Sequence, residues 1–112
     1  MPTDAACFAL WDKYDMLPNI RRHSTLVAHI ATSLAARAAE LGFDVNVGEV
    51  RAGGLLHDIA KTYCVRHGGS HAQVGAAWTV AETGNYAIAQ GVMLHVWWPW
   101  SLPEGSGICA LP

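Results

Sequence analysis

The sequence predicts an all-α fold: apolar residues recur at three- and four-residue steps, helix start and stop signals punctuate the chain, and no strand-like alternation persists beyond a few residues. Thr3 to Tyr14 forms a short first helix, with Ala6, Leu10 and Tyr14 four apart, and Leu17-Pro18-Asn19 then reads as a break. From Ser24 to Leu41, the residues Leu26, Val27, Ile30, Leu34, Ala38 and Leu41 mark an amphipathic helix, with Gly42 as its C-terminal cap. Asn46-Val47-Gly48-Glu49 pairs a cap residue with Glu three places on, and Val47, Val50, Leu55 and Ile59 carry the next helix into Lys61. That helix bears His57 and Asp58. After Gly68-Gly69, Ser70-His71-Ala72-Gln73 repeats the start signal and opens a helix through Val80 or Ala81, placing His71 in its first turn. Gly84-Asn85 separates it from a last helix, Tyr86 to about Val96, with Ile88, Val92 and His95 near one face. The expectation is a compact bundle of about five helices with short loops.

The 112 residues suit one domain, 1–112, with an irregular Trp- and Pro-rich tail over 97–112. A composition 52% hydrophobic and only 14% charged excludes a disordered tail. The net charge of -2 and pI near 6.3 leave no electrostatic footprint for a nucleic-acid polymer or a membrane surface. Cys7, Cys64 and Cys109 are odd in number, far apart and form no C-x-x-C pair, so a disulfide framework and a structural zinc motif are not indicated. Acidic Asp4 and the lack of a basic n-region argue against a signal peptide, and the expectation is a cytoplasmic protein. Thr83 to Pro103 carries no Asp, Glu, Lys or Arg, but Asn85, Gln90, His95, two glycines and two prolines disqualify it as a membrane span.

The chemistry gathers on histidines. Asp58 stands inside Leu55-Leu56-x-x-Ile59-Ala60, where an unpartnered buried carboxylate costs several kcal/mol and a cation would supply the partner. His57 and Asp58 are about 100° apart around a helix, yet neighbouring side chains can lean onto one ion beside it. His23 just before a helix, His71 just inside one and His95 near the end of another can point into one cleft. The competing explanations are an exposed His-Asp pair at a helix edge and singly structural histidines. His67 lies in a Gly-rich loop and reads as an exposed side chain, and His29 lies on the long helix with no partner in the sequence. Imidazole and carboxylate donors without thiolate suit Mn²⁺, Fe²⁺, Ni²⁺, Co²⁺, Zn²⁺ or Mg²⁺, one or two per chain. Lys61 and Arg22 are candidates to hold substrate phosphate oxygens, against the alternative of solvated surface charges. Trp78 is expected in the core, and Trp97, Trp98 and Trp100 against the domain or across a homodimer.

Over His23 to His95 the chain resembles the HD superfamily of metal-dependent phosphohydrolases. The residues carrying the likeness are Arg22-His23, the run Leu55-Leu56-His57-Asp58-Ile59-Ala60-Lys61, the segment His71-Ala72-x-x-Gly75-Ala76, and Ile88 followed by His95. The resemblance implies an HD-type helical bundle and His23, His57 and Asp58 as ligands of a first metal. It further implies His71 and His95 as ligands of a second metal or as contacts to substrate phosphate. The implied activity is hydrolysis of a nucleotide or other small phosphoester by a metal-activated water, with Asp58 and Lys61 in catalytic roles. The family order closes on a late Asp after the position of His95, and no Asp follows Asp58 here; Glu104 is the only carboxylate beyond His95. This departure sets up a second expectation, a truncated or non-catalytic domain that binds metal or nucleotide without turnover.

Overall fold

A computed structural model describes residues 2–94, with the side chain of Leu94 excepted. Six helices are described: α1 (Asp4–Lys13), α2 (Pro18–Glu40), α3 (Val47–Leu56), α4 (Lys61–His67), α5 (His71–Thr83) and α6 (Tyr86–Leu94). Among the described residues there is no strand, and no helix is long and apolar enough to cross a membrane. The expected all-α bundle is present, with one helix more than the sequence pattern separates.

Local chemistry sets most of the boundaries. Thr3 Oγ1 accepts from the Ala6 N–H, Asn46 Oδ1 from Glu49, Ser70 Oγ from Gln73 and Asn85 Oδ1 from Ile88. Each bond satisfies one of the N–H groups that a helix start leaves without an intrahelical partner. Gly84, with φ of +67°, ends α5 in the left-handed conformation that costs glycine little.

The start of α2 corrects the sequence reading. The break falls just before Pro18, ending at Leu17, and Pro18 is already the first residue of α2, where its missing N–H costs nothing and its fixed φ is already helical. Arg21 holds the corner, donating to the Met16 and Trp11 carbonyls and to Asp12 Oδ1. The Leu17 N–H donates to Thr62 Oγ1 at 3.2 Å, which ties this corner to α4. His23 therefore lies inside α2 rather than before it.

Beyond Ile20, the face that α2 buries is made of small residues. Ile20, Ser24, Ala28 and Ala35 are buried, whereas Leu26, Ile30 and Leu34 are exposed by half or more. The reason lies in the crossing with α3: a Cβ placed on Gly54 would stand 2.6 Å from the Ala28 Cα, so the two backbones approach too closely for anything larger. Gly75 plays the corresponding part for α5 and α6, where an added Cβ would meet Val92 at 3.1 Å. Trp11, Met16, Leu55, Leu56, Ile59, Ile88 and Val92 fill the space between these crossings. The Trp11 indole N–H donates to the Leu55 carbonyl at 2.7 Å, anchoring α1 to the end of α3. Trp78, expected in the core, is only partly buried at its edge, stacked on Tyr14 with ring centroids 4.0 Å apart.

The helix expected to run from Asn46 into Lys61 is two helices. α3 ends at Leu56, His57 is its C-cap with helical dihedrals, and a tight turn leads to α4 at Lys61. The Ile59 N–H donates to the Leu56 carbonyl and the Lys61 N–H to that of Asp58. No Pro or Gly marks this break, because burial of Ile59 and Ala60 and of Asp58 itself, rather than local preference, bends the chain.

Candidate metal centre

His57 and Asp58 sit where the α3–α4 turn points two successive side chains inward, and His23 reaches the same place from the second turn of α2. One ligand atom from each lies within 4.8 Å of the others. His71, the first residue of α5, joins them. The Asp58 carboxylate is fully buried and ringed by imidazoles: Oδ2 is 3.3 Å from His57 Nε2 and 3.9 Å from His23 Nε2, and Oδ1 is 3.7 Å from His71 Nε2. His57 is also buried, while His23 is 36% exposed and His71 28%, so the cluster opens to solvent on the side those two share.

One imidazole is oriented by the backbone. His57 Nδ1 lies 2.6 Å from the Gly54 carbonyl, and since a carbonyl only accepts, Nδ1 carries the proton and the Nε2 edge turns toward Asp58. Gly54 is the residue that the sequence reading missed. It sets the α2–α3 approach that brings His23 to the turn, and its carbonyl fixes the His57 tautomer. The available signal was Gly53-Gly54 in the middle of a helical pattern, a pairing that costs helix stability and so implies a packing reason.

The donor set fits a divalent cation. Ligand bonds of about 2.0–2.2 Å place donors on one ion about 3–4 Å apart, and the His57–Asp58 and His23–Asp58 separations fall in that interval. Imidazole nitrogen with carboxylate oxygen is the donor chemistry of transition-metal and zinc sites rather than of all-oxygen calcium sites. The described cysteines stand apart from it: Cys7 is buried in the core, where loss of solvent pushes its thiol up to about 11.

The remaining candidates are placed as follows. Lys61 is the first residue of α4, partly exposed and on a different helix from His57, contrary to the continuous helix expected. Arg22 is exposed beside His23. His29 is exposed on α2, and the His67 ring lies tilted against Tyr63 with centroids 4.5 Å apart, both apart from the cluster found around Asp58. His95 and the tail with Trp97, Trp98 and Trp100 lie outside the described residues.

A profile of the HD domain family matches residues 20–99. Ribonuclease Y of Fervidobacterium nodosum is 42% identical over 77 residues, which cover 69% of this chain and 14% of that protein. Ribonuclease Y of Pseudothermotoga lettingae is 47% identical over 58 residues, 52% of this chain and 10% of the relative. The protein of that name from Thermus thermophilus is 44% identical over 59 residues, 53% of this chain and 9% of its own length. The chain thus spans a small fraction of the curated relatives it matches, and no solved structure matches it. With the helical bundle and the His-Asp centre in place, the profile match over most of the chain makes this protein a member of the HD domain family.

Proposed function

We propose that the chain is a metal-dependent phosphohydrolase domain acting on a nucleotide or other small phosphoester. The observation that carries this reading is the convergence of His23, His57 and Asp58, from α2 and the α3–α4 turn, with the carboxylate fully buried. A divalent ion held by these three would supply polarisation of a phosphoryl oxygen and activation of water at neutral pH. Asp58 contributes the negative charge of the donor set, and the Gly54 carbonyl holds His57 in the tautomer whose Nε2 can donate a lone pair. His71 and the more exposed His23 stand at the open side, where a phosphate would approach. Lys61 and Arg22 are the cations near that opening in sequence and are assigned to the phosphate oxygens. A cytoplasmic setting belongs to the same reading.

The likeness to ribonuclease Y favours a second substrate, the phosphodiester of an RNA chain. One experiment addresses both. The purified chain is loaded in turn with Mn²⁺, Fe²⁺, Ni²⁺, Co²⁺, Zn²⁺ and Mg²⁺ and assayed on aryl phosphodiesters, nucleotides and short RNA. Metal-stimulated cleavage that Asp58→Ala and His57→Ala abolish is the expected result, and the substrate cleaved decides between the two readings. Stoichiometric metal with no cleavage of any of them would replace both by the non-catalytic domain.

A further inference from the structure

A cleft of about 480 Å³ runs from His57 between α2, α3 and α6, and neither the metal centre nor its phosphate ligands account for it. Its size is that of a small-molecule pocket. Val27 and Ala31 of α2 form one wall, and Ala87 and Ile88 of α6 the other. Gly53 and Gly91 leave open space: a Cβ added at either would meet nothing within 4 Å. Among the described residues that line the cleft, the ionisable group besides His57 is Glu49, which stands on the same stripe of α3 at i, i+4, i+8 with Gly53 and His57. Two helical turns separate Glu49 from His57, about 12 Å along the axis.

We propose that this cleft receives the nucleobase of the phosphoester whose phosphate lies at the metal centre, with Glu49 reading the base's N–H edge. The proposal rests on the phosphohydrolase reading and names the specificity-determining part of the same site. Apolar walls with a glycine floor suit a flat ring, and a carboxylate at the far end suits a ring that carries N–H donors. An alkyl chain is the poorer occupant, because it would bury the Glu49 carboxylate against hydrocarbon with nothing to donate to it. A base with two adjacent N–H donors matches both carboxylate oxygens, so guanine is favoured over adenine and uracil.

Nucleosides, which lack phosphate, test the cleft apart from the chemistry. The full 112-residue chain is titrated with guanosine, adenosine, uridine and the baseless ribose 5-phosphate, with binding read by calorimetry and by resonance shifts at Val27, Ala31 and Ile88. The expected order is guanosine first, with ribose 5-phosphate leaving those three resonances unmoved. Glu49→Gln is expected to weaken guanosine about tenfold, the size of losing a charge-assisted hydrogen bond, and to level the preference among bases. Gly53→Leu and Gly91→Leu, at positions with room for a side chain, are expected to abolish nucleoside binding while metal uptake and the helical circular dichroism persist. The proposal is overturned if no nucleoside shifts those resonances, or if filling the cleft leaves nucleoside binding unchanged. Nucleoside binding without metal-stimulated hydrolysis of any phosphoester would leave the cleft standing and remove the phosphohydrolase reading. Hydrolysis of aryl phosphodiesters without nucleoside binding would do the reverse.

Discussion

Asp58 concentrates the chemistry of this protein in one side chain, a fully buried carboxylate with three imidazole nitrogens within 4 Å of its oxygens. Neutralising it while keeping its shape separates charge from packing. Asp58→Asn is expected to lower metal content from about one ion per chain to near none, because the anionic donor is lost from the set. Elemental analysis after dialysis against Ni²⁺ or Mn²⁺ checks this, with circular dichroism reporting the fold. Retention of stoichiometric metal by that variant would show that the carboxylate is not a ligand. The sequence already named this residue, since a carboxylate among Leu55, Leu56, Ile59 and Ala60 demands a partner. For Gly54 it offered only the Gly53-Gly54 pair, because which of the two meets a neighbour depends on a residue distant in the chain, Ala28.

At the level of elements, the α2–α3 crossing decides whether the centre assembles, and the two adjacent glycines of α3 make a controlled pair. Gly54→Ala drives a methyl into the Ala28 backbone and is expected to destabilise the chain by about 1–3 kcal/mol, the usual cost of overpacking, and to weaken metal binding by displacing His23 from His57. Gly53→Ala meets nothing within 4 Å and is expected to stabilise by about 0.5–1 kcal/mol, because alanine loses less entropy in a helix. Urea unfolding of both variants tests the pair, and equal effects would mean that the crossing is looser than described. α1 carries a pH dependence of its own. Burial pushes the Cys7 thiol up from 9.0 to about 11, and burial together with the Glu82 hydrogen bond raises the Tyr14 phenol. The Glu82 hydrogen bond likewise raises Lys13. Groups whose folded values are raised contribute stability that is complete below their unfolded values and is lost as pH rises through the folded ones. Stability should therefore hold to about pH 9 and fall between there and pH 11, with Cys7 alone accounting for about 2–3 kcal/mol. Urea midpoints across that range for the parent chain and Cys7→Ala measure the loss, and a flat profile in the parent would contradict it.

Across the described molecule, the exposed stripe of α2 is the feature least like an ordinary small globule. Leu26, Ile30 and Leu34 are each exposed by half or more at four-residue spacing, with Leu41 and Phe43 exposed beyond them. Apolar residues in line on one helix form a continuous patch rather than the scattered exposure common on protein surfaces. The described fold should therefore bind an apolar dye such as ANS in its native state. Ile30→Gln with Leu34→Gln should cut that fluorescence severalfold without shifting the urea midpoint, since neither side chain contributes to the core. Loss of stability in the double variant would show instead that the stripe is packed in solution.

Short-range chemistry was legible in the chain alone. Cap residues bond to N–H groups three positions on, so Asn46 and Ser70 announced their helices correctly, and the Gly84 stop needed only its own backbone freedom. The family likeness was equally legible in the run from Leu55 to Lys61 and in the spaced histidines. Which face of α2 is buried became known only from the packed helices, because periodicity reports angles around one helix and says nothing about which neighbour approaches it. The small face won over the leucine face, since Ala28 and Gly54 allow a backbone contact that leucine forbids. The break at His57–Ala60 was invisible for the same reason: no local breaker makes it, and long-range burial does. That break is what turns two consecutive residues, set about 100° apart on a straight helix, toward one point.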